Sequence, residues 1–324
     1  MKHARSRTVG FGQPSPSTSP GEPVADQTGR VRDAEQRTVP VAGGELSVLH
    51  WTADSPGAPV VVLLHGITSN AMVWARIAGE LAGDFHVIAP DLRGRAASAA
   101  LPGPYGLAAH AEDVAAVLSR FGDAVVVGHS MGAFVATLAA SVATRWRVRG
   151  LVLVDGGLPF PRQPGEDPDA RLAALLGRTL DRLATPFPDL AAVRAFWAGH
   201  PTVGPWVDVP SVAAFLARDL VGAPPALRSA VVPDAVRTDG ADLLAEERVL
   251  QTARELPVPA TLLWAPRGMS DQPPGLYDEP RLAAFGAEQA GITARSVPDT
   301  NHDSIVWAPQ GVAAIVGAAR VAAT

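Results

Sequence analysis

The sequence contains no cysteine, a single lysine at Lys2 and no long apolar run. The lack of cysteine excludes disulfides, thiolate nucleophiles and zinc bound by cysteine. No segment reaches the roughly 18 consecutive apolar residues that a membrane-spanning helix needs, so no membrane span is expected. The N-terminal segment also lacks the apolar core of a secretory signal. We therefore expect a cytoplasmic protein.

Concentrated positive charge is missing as well. The formal net charge is −5, and the arginines are scattered along the chain, whereas a phosphate backbone is bound by a basic patch or stripe. Nucleic acid is therefore not an expected partner. The sequence also lacks a dinucleotide or phosphate loop. We expect a small-molecule substrate and no metal or organic cofactor.

Apolar side chains are plentiful, at 47% of the 324 residues. This is enough for the core of one large α/β domain or of two smaller ones. Residues 1–38 differ from the rest, because they are rich in proline, serine, glycine and charge and have almost nothing to bury. We predict a disordered tail over this segment.

The remainder of the chain alternates between short apolar runs and longer helical patterns. Strands are predicted over 45–51, 59–64, 85–90, 124–128, 150–154, 260–264 and 292–297, with helices over 70–82, 107–121, 131–144, 279–290 and 310–322. Runs such as PVVVLL at 59–64 are typical of strands buried on both faces of a parallel sheet. The predicted fold is therefore α/β, with a mostly parallel central sheet flanked by helices, over 39–155 and 257–324.

Residues 156–256 interrupt this alternation. Their helical periodicity is broken by proline-rich joints, and they carry six large aromatic residues: Phe160, Phe187, Phe196, Trp197, Trp206 and Phe215. We interpret them as a helical cap over the C-terminal edge of the sheet, where open α/β sheets bind their ligands. The alternative is a second packing layer whose aromatic residues are only core.

The segment with the clearest chemistry is AVVVGHSMGAFVATLAA, which contains Gly128-His129-Ser130-Met131-Gly132. An apolar strand enters this turn and a strong helix-forming segment leaves it. A serine in so tight a turn has a strained backbone and needs glycine two residues before and two residues after it. The following helix also directs free N–H groups towards the place where an oxyanion would form. Ser130 is therefore the predicted nucleophile.

With this motif in its strand, turn and helix context, the chain resembles the α/β-hydrolase superfamily over about 40–155 and 257–322. His65-Gly66 after the second predicted strand and Asp91-Leu92-Arg93-Gly94 after the third are also similar to family motifs. Many relatives continue the latter turn with Gly-x-Ser, whereas here Arg95 and Ala96 precede Ala97-Ser98. The predicted cap lies outside the resemblance.

The resemblance implies a catalytic triad in the chain order serine, acid, histidine. Of the eight histidines, only His200 and His302 follow the serine motif. His302 lies in a loop after the last predicted strand, where the base of this family is found. His200 lies in the predicted cap, where a surface or pocket-wall position is expected. The side chain of His129 is expected to point away from Ser130.

Two aspartates satisfy the requirement for a carboxylate at the C-terminal end of a strand. Asp271 follows the run ATLLW by seven residues and matches the commonest acid position in the family, so it is our first choice. Asp155 directly ends LVLV and matches families whose acid comes one strand earlier. The resemblance also assigns two oxyanion donors, the backbone N–H groups of Ile67 and Met131.

These residues predict a serine hydrolase that cleaves a carboxylic ester through an acyl-enzyme on Ser130. The aromatic residues of the predicted cap favour a mostly apolar substrate. A lactonase, a thioesterase or a carbon–carbon bond hydrolase could use the same triad. A ligand-binding or signalling module that turns over slowly is the alternative from a different class.

Overall fold

A computed structural model describes residues 33–142, 147–159, 167–245, 247–288 and 290–324. It confirms the predicted α/β fold. The main sheet has eight strands: β1 Glu35–Val41, β2 Gly44–Trp51, β3 Val60–Leu64, β4 His86–Pro90, β5 Ala124–His129, β6 Val148–Val154, β9 Ala260–Trp264 and β10 Ile292–Ser296. Their order in the sheet is β1-β2-β4-β3-β5-β6-β9-β10. The six strands from β4 to β10 pair in parallel, whereas β1 and β2 pair with their neighbours antiparallel.

Both faces of the central strands are buried, as the continuous apolar runs predict. Along β3, Val62 and Leu64 belong to one apolar cluster, and Val61 and Leu63 belong to another on the opposite face. Because side chains alternate along a strand, each central strand contributes to both clusters. The parallel strands are thereby held in a fixed arrangement at their C-terminal ends, where the loops that carry chemistry begin.

Helices cover both faces of the sheet. Those of the core are α1 Ala75–Leu81, α2 Leu107–Phe121, α3 Met131–Val142, α10 Glu279–Phe285 and α11 Pro309–Ala322, with short 3₁₀ helices at Ala71–Trp74, Ala96–Ser98 and Ser304–Val306. The helix predicted over 279–290 ends early. Gly286 adopts a left-handed conformation with φ of 77° and its N–H bonds back to the last turn of α10, which is the usual glycine stop signal.

The segment predicted as a cap is mostly helical. It contains α4 Pro168–Leu176, α5 Arg178–Ala184, α6 Leu190–Ala198, α7 Pro210–Arg218, α8 Pro233–Ala245 and α9 Glu247–Arg254, a 3₁₀ turn at Gly204–Trp206 and a two-stranded ribbon of β7 Leu220–Val221 and β8 Arg228–Ser229. Helix α9 packs against α3, so it belongs to the helix layer of the core as the crossover between β6 and β9. The predicted cap boundary at 256 is therefore too late.

The predicted boundary of the N-terminal tail is also corrected. Residues 1–32 of the predicted tail lie outside the described residues, whereas 35–38 form the start of β1. Most side chains of β1 are exposed, and its place in the sheet comes from backbone pairing with β2. A strand on the edge of a sheet needs no apolar run, so its polar sequence resembled a tail.

Candidate active site

Ser130 lies between the last residue of β5 and the first residue of α3, with φ of 53°. The two glycines of the motif are required by close backbone contacts. A Cβ atom at Gly128 would lie 2.2 Å from the carbonyl oxygen of Gly132, and one at Gly132 would lie 2.1 Å from that of Leu64. Any larger residue at either position would push the turn apart, so the motif holds the serine in its strained backbone conformation.

His302 connects the serine to a carboxylate. Its Nε2 atom lies 3.0 Å from Ser130 Oγ, and its Nδ1 atom lies 2.7 Å from Asp155 Oδ2. Since an ionised carboxylate only accepts hydrogen bonds, Nδ1 carries the proton and Nε2 is left to accept from the serine hydroxyl. The arrangement matches the serine, histidine and acid geometry of nucleophilic catalysis.

The carboxylate that contacts His302 is Asp155 and not Asp271, the first choice from the sequence. Asp155 is fully buried and its second oxygen accepts the backbone N–H of Ala265 at 3.0 Å. Asp271 instead accepts from Arg267 Nε at 2.7 Å and from Asn301 Nδ2 at 2.8 Å, with its side chain 37% exposed. It completes a surface loop rather than the catalytic contact.

Strand pairing explains why Asp155 reaches His302. Strands β5 and β6 are neighbours, and His129 pairs in register with Val154. Ser130 and Asp155 are the next residues on their respective strands, so they leave the sheet side by side. The loop that carries Asp271 folds back on itself, because Gly268 N–H donates to the carbonyl of Gln272 at 3.0 Å and Asp271 N–H donates to that of Gly268 at 3.1 Å. In the sequence, Asp155 differs from Asp271 in that it directly follows its strand.

The surroundings of His302 suit a base that works near neutral pH. Burial alone lowers the pKa of an imidazole. The hydrogen bond and negative charge of Asp155, with the charge of Asp303, outweigh that effect and raise the pKa of His302 above its ordinary value of 6.5. A raised pKa strengthens the imidazole as a proton acceptor.

The loop after β3 holds Ile67 at the wall of the cavity beside Ser130 and Met131. His65 holds the peptide that precedes Ile67. Its Nε2 accepts the N–H of Leu92 at 2.9 Å, so the proton is on Nδ1. Nδ1 donates to the carbonyl of Gly66 at 2.8 Å. Burial lowers the pKa of His65 to about 3, which keeps it in this neutral form. The Gly66–Ile67 peptide is therefore oriented by a buried, uncharged side chain.

His129, inside the serine motif, has a role that the sequence did not indicate. Its Nε2 lies 2.8 Å from the backbone carbonyl oxygen of His302, and the two rings are 4.8 Å apart. Burial, together with the nearby His302, lowers the pKa of His129 to about 4, so a neutral ring donates to this carbonyl. His129 thereby holds the loop that carries His302. No pattern in the sequence reveals this contact.

Two cavities meet at Ser130. The larger one has a volume of about 420 Å³, and its lining includes His302, Asp303, His200 and Thr179. The smaller one has a volume of about 30 Å³ and is lined mainly by apolar side chains. His200 thus lies in the pocket wall, where its ring nitrogens contact the hydroxyls of Thr179 at 3.2 Å and Thr202 at 3.0 Å.

The described aromatic residues of the predicted cap do not line these two cavities. Among the five that the structure describes, Phe187, Trp197 and Phe215 are buried in an apolar cluster, and Phe196 and Trp206 pack against it. Leucines from α4 and α8 form much of the apolar wall near Ser130: Leu172, Leu175, Leu176, Leu243 and Leu244. Trp197 and Phe215 also line a small neighbouring cavity of about 50 Å³, which shares His200 and Asp303 with the large one. The described aromatic residues thus pack in the apolar cluster, as in the alternative interpretation, and two of them also reach this neighbouring cavity.

The described parts of the chain contain no group of three or more histidine, aspartate or glutamate side chains placed to hold a metal ion. Within the same ranges, no helix has the length and apolar character needed to cross a membrane.

Comparison with known proteins identifies the family. Residues 61–315 match the model of the alpha/beta hydrolase family, and the chain belongs to that family. Among curated proteins it is 38% identical to lipase LipV of Mycobacterium tuberculosis over 110 residues, which cover 33% of this chain and 41% of the lipase. It is 32% identical to 2-(acetamidomethylene)succinate hydrolase of Mesorhizobium japonicum over 144 residues, covering 44% and 49%. These matches span less than half the length of either relative.

Solved structures support the fold over most of the chain. A crystal structure of E-2-(acetamidomethylene)succinate hydrolase superimposes with a TM-score of 0.70 at 23% identity, covering 88% of this chain and 98% of that one. The thioesterase domain of the curacin biosynthetic pathway gives a TM-score of 0.69 at 21% identity, covering 90% and 100%. At such identities the likeness concerns the fold alone.

Proposed function

We propose that this protein is a serine hydrolase that cleaves a carboxylic ester of a small molecule through a covalent acyl-enzyme on Ser130. The observation that carries the proposal is the continuous contact from Asp155 through His302 to Ser130, at 2.7 Å and 3.0 Å. The nucleophile, the base and the orienting acid are all within hydrogen-bonding distance.

In this mechanism, Ser130 Oγ attacks the carbonyl carbon of the ester while His302 Nε2 takes the hydroxyl proton. The negative charge that forms on the carbonyl oxygen is stabilised by the backbone N–H groups of Ile67 and Met131, and each donor is worth about 3 kcal/mol in the transition state. Asp155 keeps the proton on Nδ1 and stabilises the imidazolium.

The intermediate then collapses. His302 gives its proton to the alcohol oxygen, the carbon–oxygen bond breaks and the acyl group remains on Ser130. A water molecule, deprotonated by His302, attacks the acyl-enzyme, and the released serine takes back the proton. The cycle consumes one water and yields an acid and an alcohol.

The relatives support hydrolysis but differ in the bond they cleave. Their names include a lipase, a methyl ester esterase, a deformylase and an epoxide hydrolase. Ester cleavage is the proposal here because a neutral serine nucleophile with an oxyanion site suits an acyl carbon.

The test is a panel of p-nitrophenyl esters of rising acyl length, assayed with wild-type protein, Ser130→Ala and Ser270→Ala. Ser270 lines the same large cavity and is the matched control. We expect turnover to fall by roughly 10⁶-fold in Ser130→Ala and to stay within a few-fold of wild type in Ser270→Ala. A fluorophosphonate probe should label wild-type protein at Ser130.

Two results would contradict the proposal. Equal activity in the wild type and Ser130→Ala would remove Ser130 as nucleophile. A single burst of product with negligible steady turnover would instead favour the slow ligand-binding module.

A further inference from the structure

The two cavities that meet at Ser130 differ in size and in chemical character. The larger, of about 420 Å³, contains polar groups from Thr68, Ser69, Thr179 and His200. The smaller, of about 30 Å³, is closed mainly by leucine, methionine and phenylalanine side chains. An ester has two substituents on its reacting carbonyl unit, so each cavity can take one of them.

The position of His302 decides which substituent goes where. His302 lines the larger cavity and is absent from the lining of the smaller one, whereas Ser130 lines both. The alcohol oxygen must receive its proton from His302 as the carbon–oxygen bond breaks. The alcohol part of the ester therefore has to lie in the larger cavity, on the His302 side.

The acyl substituent is left with the smaller cavity. Of the two cavities, Met131 lines only the smaller, whereas Ile67 lines both. An acyl chain in the smaller cavity therefore leaves the carbonyl oxygen beside both proposed oxyanion donors. The volume of the smaller cavity, about 30 Å³, is far below the 420 Å³ of the larger cavity. The small cavity therefore accepts a short acyl group.

We propose that the small apolar cavity is the acyl site and the large cavity is the alcohol site, so that the substrates are esters of short apolar acids with larger alcohols. This inference rests on the proposed function and assigns the substrate class to the same site. It excludes esters of long-chain fatty acids as good substrates of this protein.

Two substrate series measure the two cavities separately. In the first, the alcohol is always p-nitrophenol and the acyl group is acetyl, butyryl, octanoyl or palmitoyl. In the second, the acyl group is always butyryl and the alcohol is methanol, benzyl alcohol or 2-naphthol. We expect kcat/KM to fall at least tenfold between butyryl and octanoyl, and to be maintained or to rise with the larger alcohols.

Paired variants then locate each preference. Leu243 lines only the small cavity of the two, and Ala174 lines only the large one. Leu243→Ala should raise the octanoyl-to-butyryl ratio of kcat/KM at least tenfold and leave the alcohol series unchanged. Ala174→Phe should lower kcat/KM for the 2-naphthyl ester relative to the methyl ester. It should leave the kcat/KM ratios between members of the acyl series unchanged. Leu243→Val gives a milder enlargement if Leu243→Ala unfolds.

Leu180→Ala is the control, because Leu180 lines a separate cavity between cap helices and should change neither ratio. The inference is overturned if Leu243→Ala changes the alcohol series and Ala174→Phe changes the acyl series, or if octanoyl and palmitoyl esters are the best substrates of the wild type. In either case turnover through Ser130 persists, so the proposed function survives. Absence of any turnover and of labelling at Ser130 would overturn both.

Discussion

Arg95 and Asp239 form an ion pair in the interior of the protein, with Arg95 Nη1 2.5 Å from Asp239 Oδ2 and both side chains fully buried. Arg95 Nε also donates to the carbonyl of Ile67 at 2.9 Å, and His110 Nε2 lies 2.9 Å from the same carboxylate oxygen. Asp239 belongs to α8 in the cap segment. The pair therefore joins α8 of the predicted cap to the loop that carries a proposed oxyanion donor.

Removing the charge of Asp239 should strongly destabilise the protein. Burial opposes the charge of this carboxylate, but His110 and Arg95 lower its pKa to about 2, so it is ionised and compensates Arg95. Asp239→Asn leaves a buried guanidinium unpaired, which typically costs about 3–5 kcal/mol. Urea unfolding measures the loss.

The control lies on the same helix. Asp234→Asn breaks an exposed pair with Arg237 at 2.7 Å and should change stability by less than about 1 kcal/mol. Similar losses of unfolding free energy in the two variants would show that the buried ion pair contributes no more to stability than the exposed one.

Asp155→Asn should lower turnover by about 10⁴-fold, because an amide at this position favours the wrong tautomer of the catalytic histidine. Asp271→Asn should stay within a few-fold of wild type, since Asp271 contacts Arg267 and Asn301 rather than His302. Steady-state kinetics with p-nitrophenyl butyrate distinguish the two. A large loss in Asp271→Asn with a small one in Asp155→Asn would reverse the assignment.

The pH dependence of kcat/KM should follow the protonation of His302. The imidazole must be neutral to take the serine proton, and its pKa is raised above 6.5 because the contacts with Asp155 outweigh burial. Activity should therefore be low below pH 6.5 and rise through an apparent pKa above that value. A pH series at constant ionic strength provides the measurement, and a flat profile between pH 6 and 8 would contradict the role of His302.

Asp303 should select against negative charge in the alcohol group. It lines the large cavity beside His302 and accepts a hydrogen bond from the hydroxyl of Thr202. Among butyrate esters, those of choline and glycerol should be cleaved faster than that of glycolic acid. Asp303→Asn should lower the ratio of kcat/KM between the choline and glycolate esters by roughly tenfold, because it removes a carboxylate close to the charged alcohol group. Asp271→Asn, outside the cavity lining, should leave the ratio unchanged.

Ala96→Gly should stabilise the protein. Ala96 has φ of 41°, a left-handed conformation that costs a residue with a Cβ about 1–2 kcal/mol. Glycine relieves this strain, offset by about 0.5–1 kcal/mol of additional entropy in the unfolded chain, so a net gain of about 0–1.5 kcal/mol is expected. Ala97→Gly, one residue later in the exposed part of the same 3₁₀ turn, should be destabilising. Thermal unfolding should show a higher Tm for Ala96→Gly and a lower Tm for Ala97→Gly if the backbone at Ala96 is strained.

The elements of the central sheet could be predicted from sequence because their apolar runs reflect burial on both faces. The contact between Ser130 and His302 was predictable for a different reason, since a tight turn and the order of a triad restrict which residues can take the two proposed roles. The acid was not determined by the sequence. Both Asp155 and Asp271 follow strands, and only the neighbouring positions of β5 and β6 in the sheet decide between them.

Contacts between distant segments were beyond sequence reasoning altogether. The ion pair of Arg95 with Asp239 and the hydrogen bond of His129 to the backbone of His302 each join residues that are far apart in the chain. No local sequence pattern indicates either contact, because only the packing of the folded chain brings the two residues of each pair together. The polar strand β1 was missed because its backbone, rather than its side chains, is what pairs.

The acid directly after β6 leaves the loop after β9 without a catalytic group. That loop still supplies Met269, Pro274 and Leu276 to the cavity walls. Under the proposed function, this loop contributes to substrate choice and not to the reacting groups. Ala265 and Asp271 of the same loop hold Asp155 and Asn301, the neighbour of His302, so those two residues must be kept. Changes confined to the wall residues are therefore the route by which evolution or an engineer could give the same reaction centre a new range of substrates.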